Sequence, residues 1–229
     1  MDLHKYYIEK ISAKGVINIW LVNGKSIRDN LDIEFTNYGQ KFFYSYIPEN
    51  EFWIDTEASQ DERKYFVDRM LIEKKLIDNG CDTQTIKAIS KNKESSERYK
   101  HEKHKKSQNK SNQVFTEKIK IKLLGITTNN LYIWLIKGKE VRTLFDVNFT
   151  EGGHDLVYNY VPTNEIWIDD DLVENERAFV ILHELYEREL MSKGDNYNIA
   201  HEKASSIEWE SRHNTAKLAE FLFKLGLKI

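Results

Sequence analysis

The residues with the clearest chemical potential lie in the segment Leu182-His183-Glu184-Leu185-Tyr186-Glu187-Arg188. If this stretch is helical, His183 and Glu187 stand one turn apart on the same face, because positions i and i+4 are neighbours on a helix surface. An imidazole nitrogen and a carboxylate oxygen could then meet one divalent ion, zinc being the natural choice for that donor pair. A catalytic zinc generally takes three protein ligands and leaves the fourth position to water. His201, which follows the Gly194 turn, is the first candidate for the third ligand, since two antiparallel helices could bring it level with His183. His154, in the loop Glu151-Gly152-Gly153-His154, is the second candidate, and Glu208 the third. Glu184 is then placed to act as general base, and later acid, on a metal-bound water whose pKa the ion lowers towards ~7.

The segment resembles the His-Glu-x-x-His helix of zincin metallopeptidases over five residues, with Glu187 standing where that family has its second histidine. The resemblance implies a zinc ion ligated by His183, a water nucleophile and Glu184 as base, and so a peptide or protein substrate. A structural reading is also open: Glu184 and Arg188 are spaced for an i,i+4 ion pair, and His201 could be a surface histidine. Other chemistries find less support. The single cysteine, Cys81, has no histidine near it in sequence, and there is no Gly-x-Ser-x-Gly elbow or phosphate-binding glycine loop. Asp169-Asp170-Asp171 could hold a cation or favour a helix start.

The elements that must position these groups are written twice. Residues 17–80 and 131–194 match without a gap at an offset of 114, with 24 of 64 pairs identical, which chance does not give. The longest shared pattern is Tyr44-x-Tyr46-x-Pro48-x-Asn50-Glu51-x-Trp53-Ile54-Asp55, repeated from Tyr158 to Asp169. The copies diverge where the chemistry lies: Gln40, Arg69, Met70 and Lys87 stand where the second copy has His154, His183, Glu184 and His201, whereas Glu73 matches Glu187. On the stripe Val180, His183, Glu184, Glu187 and Met191, a methionine in the place of Glu184 indicates a position bordering apolar packing. An unpaired carboxylate is costly there.

Alternating apolar runs predict strands at 17–22, 31–36, 42–47 and 51–55, and again at 131–136, 145–150, 156–161 and 165–169. Phe179, Leu182, Tyr186 and Leu190 recur at helical spacing up to Gly194. A second helix should start near Asp195 or Asn196 and pass Trp209, with a short amphipathic helix from Thr215. The fold class is therefore α+β, a tandem duplication in which each copy is a small antiparallel sheet followed by two helices. The first repeat is assigned to residues 1–99, a basic flexible linker to 100–118 and the second repeat to 119–229, the two copies forming an internal pseudo-dimer. Trp20, Trp53, Trp134 and Trp167 are expected in the cores.

From 91 to 110, eight Lys or Arg face three Glu, so this segment could touch a nucleic-acid backbone, although the formal charge of -3 excludes a globally basic binder. One cysteine, no leader-like N-terminus and no apolar run of ~20 residues suggest a soluble, cytoplasmic protein. Two functions follow as expectations. One is a metal-dependent hydrolase with a degenerate first copy. The other is a non-enzymatic duplicated binding module whose basic linker contacts a partner.

Overall fold

A computed structural model describes residues 2–103 and 112–227. The chain divides into two compact units, Met1–Gln108 with Val141–Asn148, and Asn109–Glu140 with Phe149–Ile229. The division follows the duplication except for the segment 141–148, which groups with the first unit. There Asn148 accepts a hydrogen bond from Arg69 and Arg142 pairs with Glu62.

Each copy is built on a four-stranded sheet. The first has β1 (Tyr7–Lys14), β2 (Ile17–Val22), β3 (Tyr38–Gln40) and β4 (Glu51–Asp55) in the order β1-β2-β4-β3. The second has β5 (Lys120–Ile126), β6 (Tyr132–Ile136), β7 (Gly152–His154) and β8 (Glu165–Asp169) in the order β5-β6-β8-β7. The sheets are mixed, not antiparallel as expected: β2 runs parallel to β4, and β6 to β8. The long connection between those strands makes this possible, since parallel neighbours need a crossover. It contains a helix in each copy, α1 (Gly24–Asn30) and α5 (Gly138–Leu144), followed by the short edge strand.

The expected strands at 31–36, 42–47, 145–150 and 156–161 do not form. Their backbone groups are satisfied locally instead, which removes the need for a ladder. Phe43 and Tyr44 both donate to the Gln40 carbonyl, as Val157 and Tyr158 do to that of His154. The alternating aromatic residues there line turns, a pattern that periodicity alone cannot distinguish from a strand.

Helices follow the sheet in each copy: α2 (Arg63–Asp78), which packs on the sheet, and α3 (Thr83–Lys103), which packs on α2, in the first; α6 (Glu174–Ser192) on the sheet, with α7 (Tyr197–His213) and α8 (Thr215–Lys224) against α6, in the second. A further helix, α4 (Asn112–Ile119), leads into β5, so the segment expected as a linker is helical at both described ends, and residues 104–111 lie outside the described residues. Because side chains alternate along a strand, Ile19, Leu21, Phe52 and Ile54 pack against Phe66 and Met70 of α2, while Trp53 lies on the opposite face with Phe35 and Ile47. In the second copy Ile133, Leu135, Ile166 and Ile168 pack beneath Val180, Leu182 and Leu185 of α6 and Leu222 of α8. Trp53 and Trp167 are fully buried, as expected, and Trp20 and Trp134 are half-buried beside them in the parallel register.

The duplication extends beyond its gapless stretch. Lys10 pairs with Trp20 and Leu123 with Trp134, so the first strands match at an offset of 113 and the second at 114: the second hairpin carries one extra residue. At the other end α3 and α7 begin 114 residues apart, at Thr83 and Tyr197. That alignment equates Glu94 with Glu208 and Arg98 with Arg212. No described helix is long and apolar enough to cross a membrane.

Candidate metal centre

The site forms where α6 passes between α7 and the edge strand β7. The sequence Val180–Glu187 is helical because its apolar residues bind it to the sheet, with Leu182 and Leu185 directed into the core. His183, Glu184 and Glu187 consequently occupy the remaining side of the helix. Gly194, with φ +108°, ends the helix in a conformation that favours glycine. Asn196 then caps α7 by accepting from the Ile199 N–H. The reversal brings α7 alongside α6, and the fully buried Ala200 and Ala204 permit close approach. His201, Ala204 and Glu208 share the face of α7 turned towards α6.

His183 Nε2 lies 3.1 Å from His201 Nδ1 and 3.6 Å from Glu187 Oε2, and His201 Nδ1 lies 2.8 Å from the same oxygen. Donor atoms bound at about 2.0–2.1 Å to one tetrahedral ion stand about 3.3 Å apart, so these three atoms approximate one face of such a polyhedron. They lie on a circle of radius about 1.9 Å, and a point about 2 Å from all three exists just off their plane. The side chains of His183 and Glu187 are 12% and 4% exposed, while His201 is 31% exposed, so the group reaches solvent past His201. Tyr197 stacks on the outer ring, its centroid 5.4 Å from that of His201.

Glu208 stands behind His183, with Oε2 2.9 Å from Nδ1, and is itself held by Arg212 at 2.7 Å. This carboxylate fixes the imidazole with Nδ1–H donating and Nε2 aimed at the group, the usual support of a metal-bound histidine. His154 is fully buried, with Nε2 2.9 Å from Glu187 Oε1, the carboxylate oxygen that turns away from the other two histidines. Glu184 lies close to Glu187 and His154, and no described group hydrogen-bonds its carboxylate. Its place depends on Gly152: a Cβ there would sit 2.9 Å from Val180 Cγ1 and 3.0 Å from Glu184 Cγ.

The electrostatics follow from this crowding. Burial pushes the Glu184 carboxyl above the usual carboxylate range, against the pull of the neighbouring imidazoles and with help from Glu187. Burial acts the same way on Glu187 and Glu208, but hydrogen bonds outweigh it. His154, His183 and His201 hold Glu187 well below its ordinary value, and His183 and Arg212 lower Glu208. Burial disfavours a charged His183, yet its bonds to Glu187 and Glu208 prevail and raise it well above a free imidazole. The hydrogen bonds therefore keep Glu187 and Glu208 ionised and favour the charged form of His183. A proton satisfies one of the three converging donors, whereas a divalent ion would satisfy all of them.

Each residue singled out in the sequence thus has a location. His183, Glu187 and His201 converge, and His154 and Glu184 approach Glu187 from the side of β7. Glu208 backs His183 without entering the group. Among the described residues, His154, Glu184 and Glu187 also lie within 4.8 Å of one another, as do Asp169, Asp170 and Asp171. The three aspartates serve local structure: Asp169 accepts from the Asp171 N–H and Asp170 from the Gly138 N–H. The expected Glu184–Arg188 pair does not form, because Arg188 turns to Asp155 and Asn164. Sequence reasoning missed the support from Glu208 and Arg212 and the space left by Gly152. The first was detectable, since carrying the repeat past 194 aligns Glu208 with Glu94 and Arg212 with Arg98.

The basic segment 91–110 is described only as far as Lys103. Glu94 and Arg98 are buried, Lys91 pairs with Asp146 and Lys100 with Glu97. Comparison with protein-family models, curated proteins and solved structures finds no match to this chain.

Proposed function

We propose that the second copy is a metal-dependent hydrolase of peptide or related amide bonds, with His183, His201 and Glu187 as ligands of one zinc-like ion. The observation that carries this reading is the convergence of three donor atoms, 2.8 to 3.6 Å apart, beside a buried carboxylate that no described group hydrogen-bonds. Two histidines and a glutamate are a known catalytic zinc set. Such an ion supplies Lewis acidity and makes a water acidic enough to attack at neutral pH. Glu184 takes the proton of the attacking water. As the water oxygen bonds to the carbonyl carbon and the carbon–nitrogen bond breaks, Glu184 returns the proton to the leaving amine.

The charge difference between the copies supports the same reading. From the first copy to the second, Arg69 becomes His183, Lys87 becomes His201 and Met70 becomes Glu184. Each change makes the position one unit more negative when the histidines are neutral, and a divalent cation offsets most of the difference.

Elemental analysis of the purified chain, combined with cleavage of a quenched-fluorescent peptide library, tests the proposal. One ion per chain is expected, with the metal lost in His183→Ala. Glu184→Gln should retain the ion and lose at least a hundredfold in cleavage, the usual contribution of a general base. Zinc at a hundred times its dissociation constant should add about 2.7 kcal/mol to stability, an increment reversed by a chelator. A metal-free parent whose unfolding does not respond to zinc would refute the reading.

A further inference from the structure

We infer that His154 is a positioning residue that holds the ligand Glu187 by a hydrogen bond, and that the centre therefore takes a single ion. This rests on the metal reading above and adds a role that the residue types alone do not distinguish. His154, Glu184 and Glu187 are close enough to suggest a second metal site with Glu187 as a bridge. The hydrogen-bond pattern around the imidazole argues against it.

The Leu156 backbone N–H donates to His154 Nδ1 at 3.2 Å. A ring nitrogen that accepts carries no hydrogen, so the ring proton lies on Nε2. That nitrogen is 2.9 Å from Glu187 Oε1 and donates to it. Ligation through Nε2 would require a lone pair there and would move the proton to Nδ1, where it would face the Leu156 N–H. The backbone resists such a change. Val157 and Tyr158 both donate to the His154 carbonyl, and the neighbouring Asp155 is gripped by Arg188, Nε–Oδ1 2.5 Å and a second nitrogen to Oδ2 3.0 Å.

The first copy supplies an independent control. Gln40 occupies the place of His154, and its amide nitrogen, which can only donate, lies 2.8 Å from Oε2 of Glu73, the counterpart of Glu187. The fold thus places a donor behind this glutamate twice, once in a copy that has a guanidinium where the second copy has its metal-facing imidazole. In the second copy the bond engages Oε1 and leaves Oε2 facing His183 and His201. It limits rotation of the carboxylate and thereby fixes which oxygen faces the ion.

The test is a competitive zinc titration with a chromophoric chelator, together with the visible spectrum of the cobalt(II)-substituted protein, on the parent, His154→Gln, His154→Leu and His183→Ala. The parent should bind one ion. His154→Gln, which restores the donor of the first copy, should keep that stoichiometry, an affinity within about threefold and an unchanged cobalt spectrum. His154→Leu should weaken binding by 10- to 100-fold at the same stoichiometry, the range seen when a partner of a metal ligand is removed. Two ions in the parent falling to one in His154→Gln, or a cobalt spectrum that loses a nitrogen ligand in that variant, would overturn the inference while leaving a metal centre. A parent that binds no ion would instead overturn the reading beneath it, and the inference with it.

Discussion

In the first copy a guanidinium bridges the two carboxylates of the corner that the second copy fills with histidines. Arg69 spans from Glu73 (3.0 Å) to Glu94 (3.1 Å), while Gln40 and Ser90 complete the hydrogen bonds of Glu73. Arg98 supports Glu94 from behind as Arg212 supports Glu208. Tyr38, the counterpart of Gly152, stacks on Phe66 with ring centroids 4.8 Å apart, and the fully buried Met70 lies where the second copy has Glu184. In the second copy the guanidinium becomes an imidazole and two aromatic residues become Gly152 and Val180. A carboxylate enters the space so released. The two carboxylates that the guanidinium bridged, Glu73 and Glu94, persist as Glu187 and Glu208. A fixed organic cation bridges both carboxylates in the first copy, whereas in the second two imidazoles converge on one oxygen of Glu187.

The comparison can be broken most forcefully at Arg69. Arg69→Leu should destabilise the protein by about 3–5 kcal/mol in urea unfolding, because it leaves Glu73 and Glu94 buried without their shared partner. A loss below about 1 kcal/mol would mean that the guanidinium does not neutralise the corner. An intermediate effect is expected at Gly152. In Gly152→Ala the added methyl meets Val180 and Glu184 at about 3 Å and must displace the base by a few tenths of an ångström. Cleavage should fall about tenfold, about 1.4 kcal/mol of barrier, with zinc content unchanged. Lost zinc would show that Gly152 shapes the ligands rather than the base.

The smallest effect concerns the clamp beside His154. Burial opposes ionisation of Asp155, but Arg188 and the Asn164 N–H outweigh it and hold the carboxyl below its usual value. A depressed folded-state pKa contributes stability that is present above the unfolded value of ~3.9 and is lost as pH falls through the folded value. Arg188→Ala should therefore cost less than about 1 kcal/mol at pH 7, and its difference from the parent should shrink as the pH falls below ~4. A difference that persists at pH 2 would assign the contribution to packing. The first copy has Lys41 and Lys74 at the equivalent positions, which bond instead to the Ser45 carbonyl and to Asp78, so this clamp belongs to the second copy alone.

Much of the architecture was legible because the chain repeats itself. Identical residues at a fixed offset located both copies, and helical spacing located α6, α7 and α8. The failures were local. Phe42, Tyr44 and Tyr46 alternate as a strand would, but the backbone closes turns there, with Tyr44 donating to Gln40 and Ile47 to Tyr44, and an apolar pattern does not record where a hydrogen bond goes. The mixed sheet was hidden for a related reason, since strand direction depends on how the intervening helix crosses the sheet.

The amino-acid sequence alone determined that the two halves share a scaffold and that His154, His183, Glu184 and His201 occur in only one of them. It also determined that His183 and Glu187 share a helical face, since 3.6 residues per turn fix that relation without any tertiary contact. Only the tertiary structure decided that His201 reaches the same point, because the angle and height at which α7 packs on α6 depend on Ala200, Ala204 and the Gly194 turn together. It likewise decided that Glu208 and His154 stand behind the group. Their direction is set by Arg212 and by the Leu156 N–H, whose distances from Glu208 and His154 are products of packing rather than of spacing along the chain.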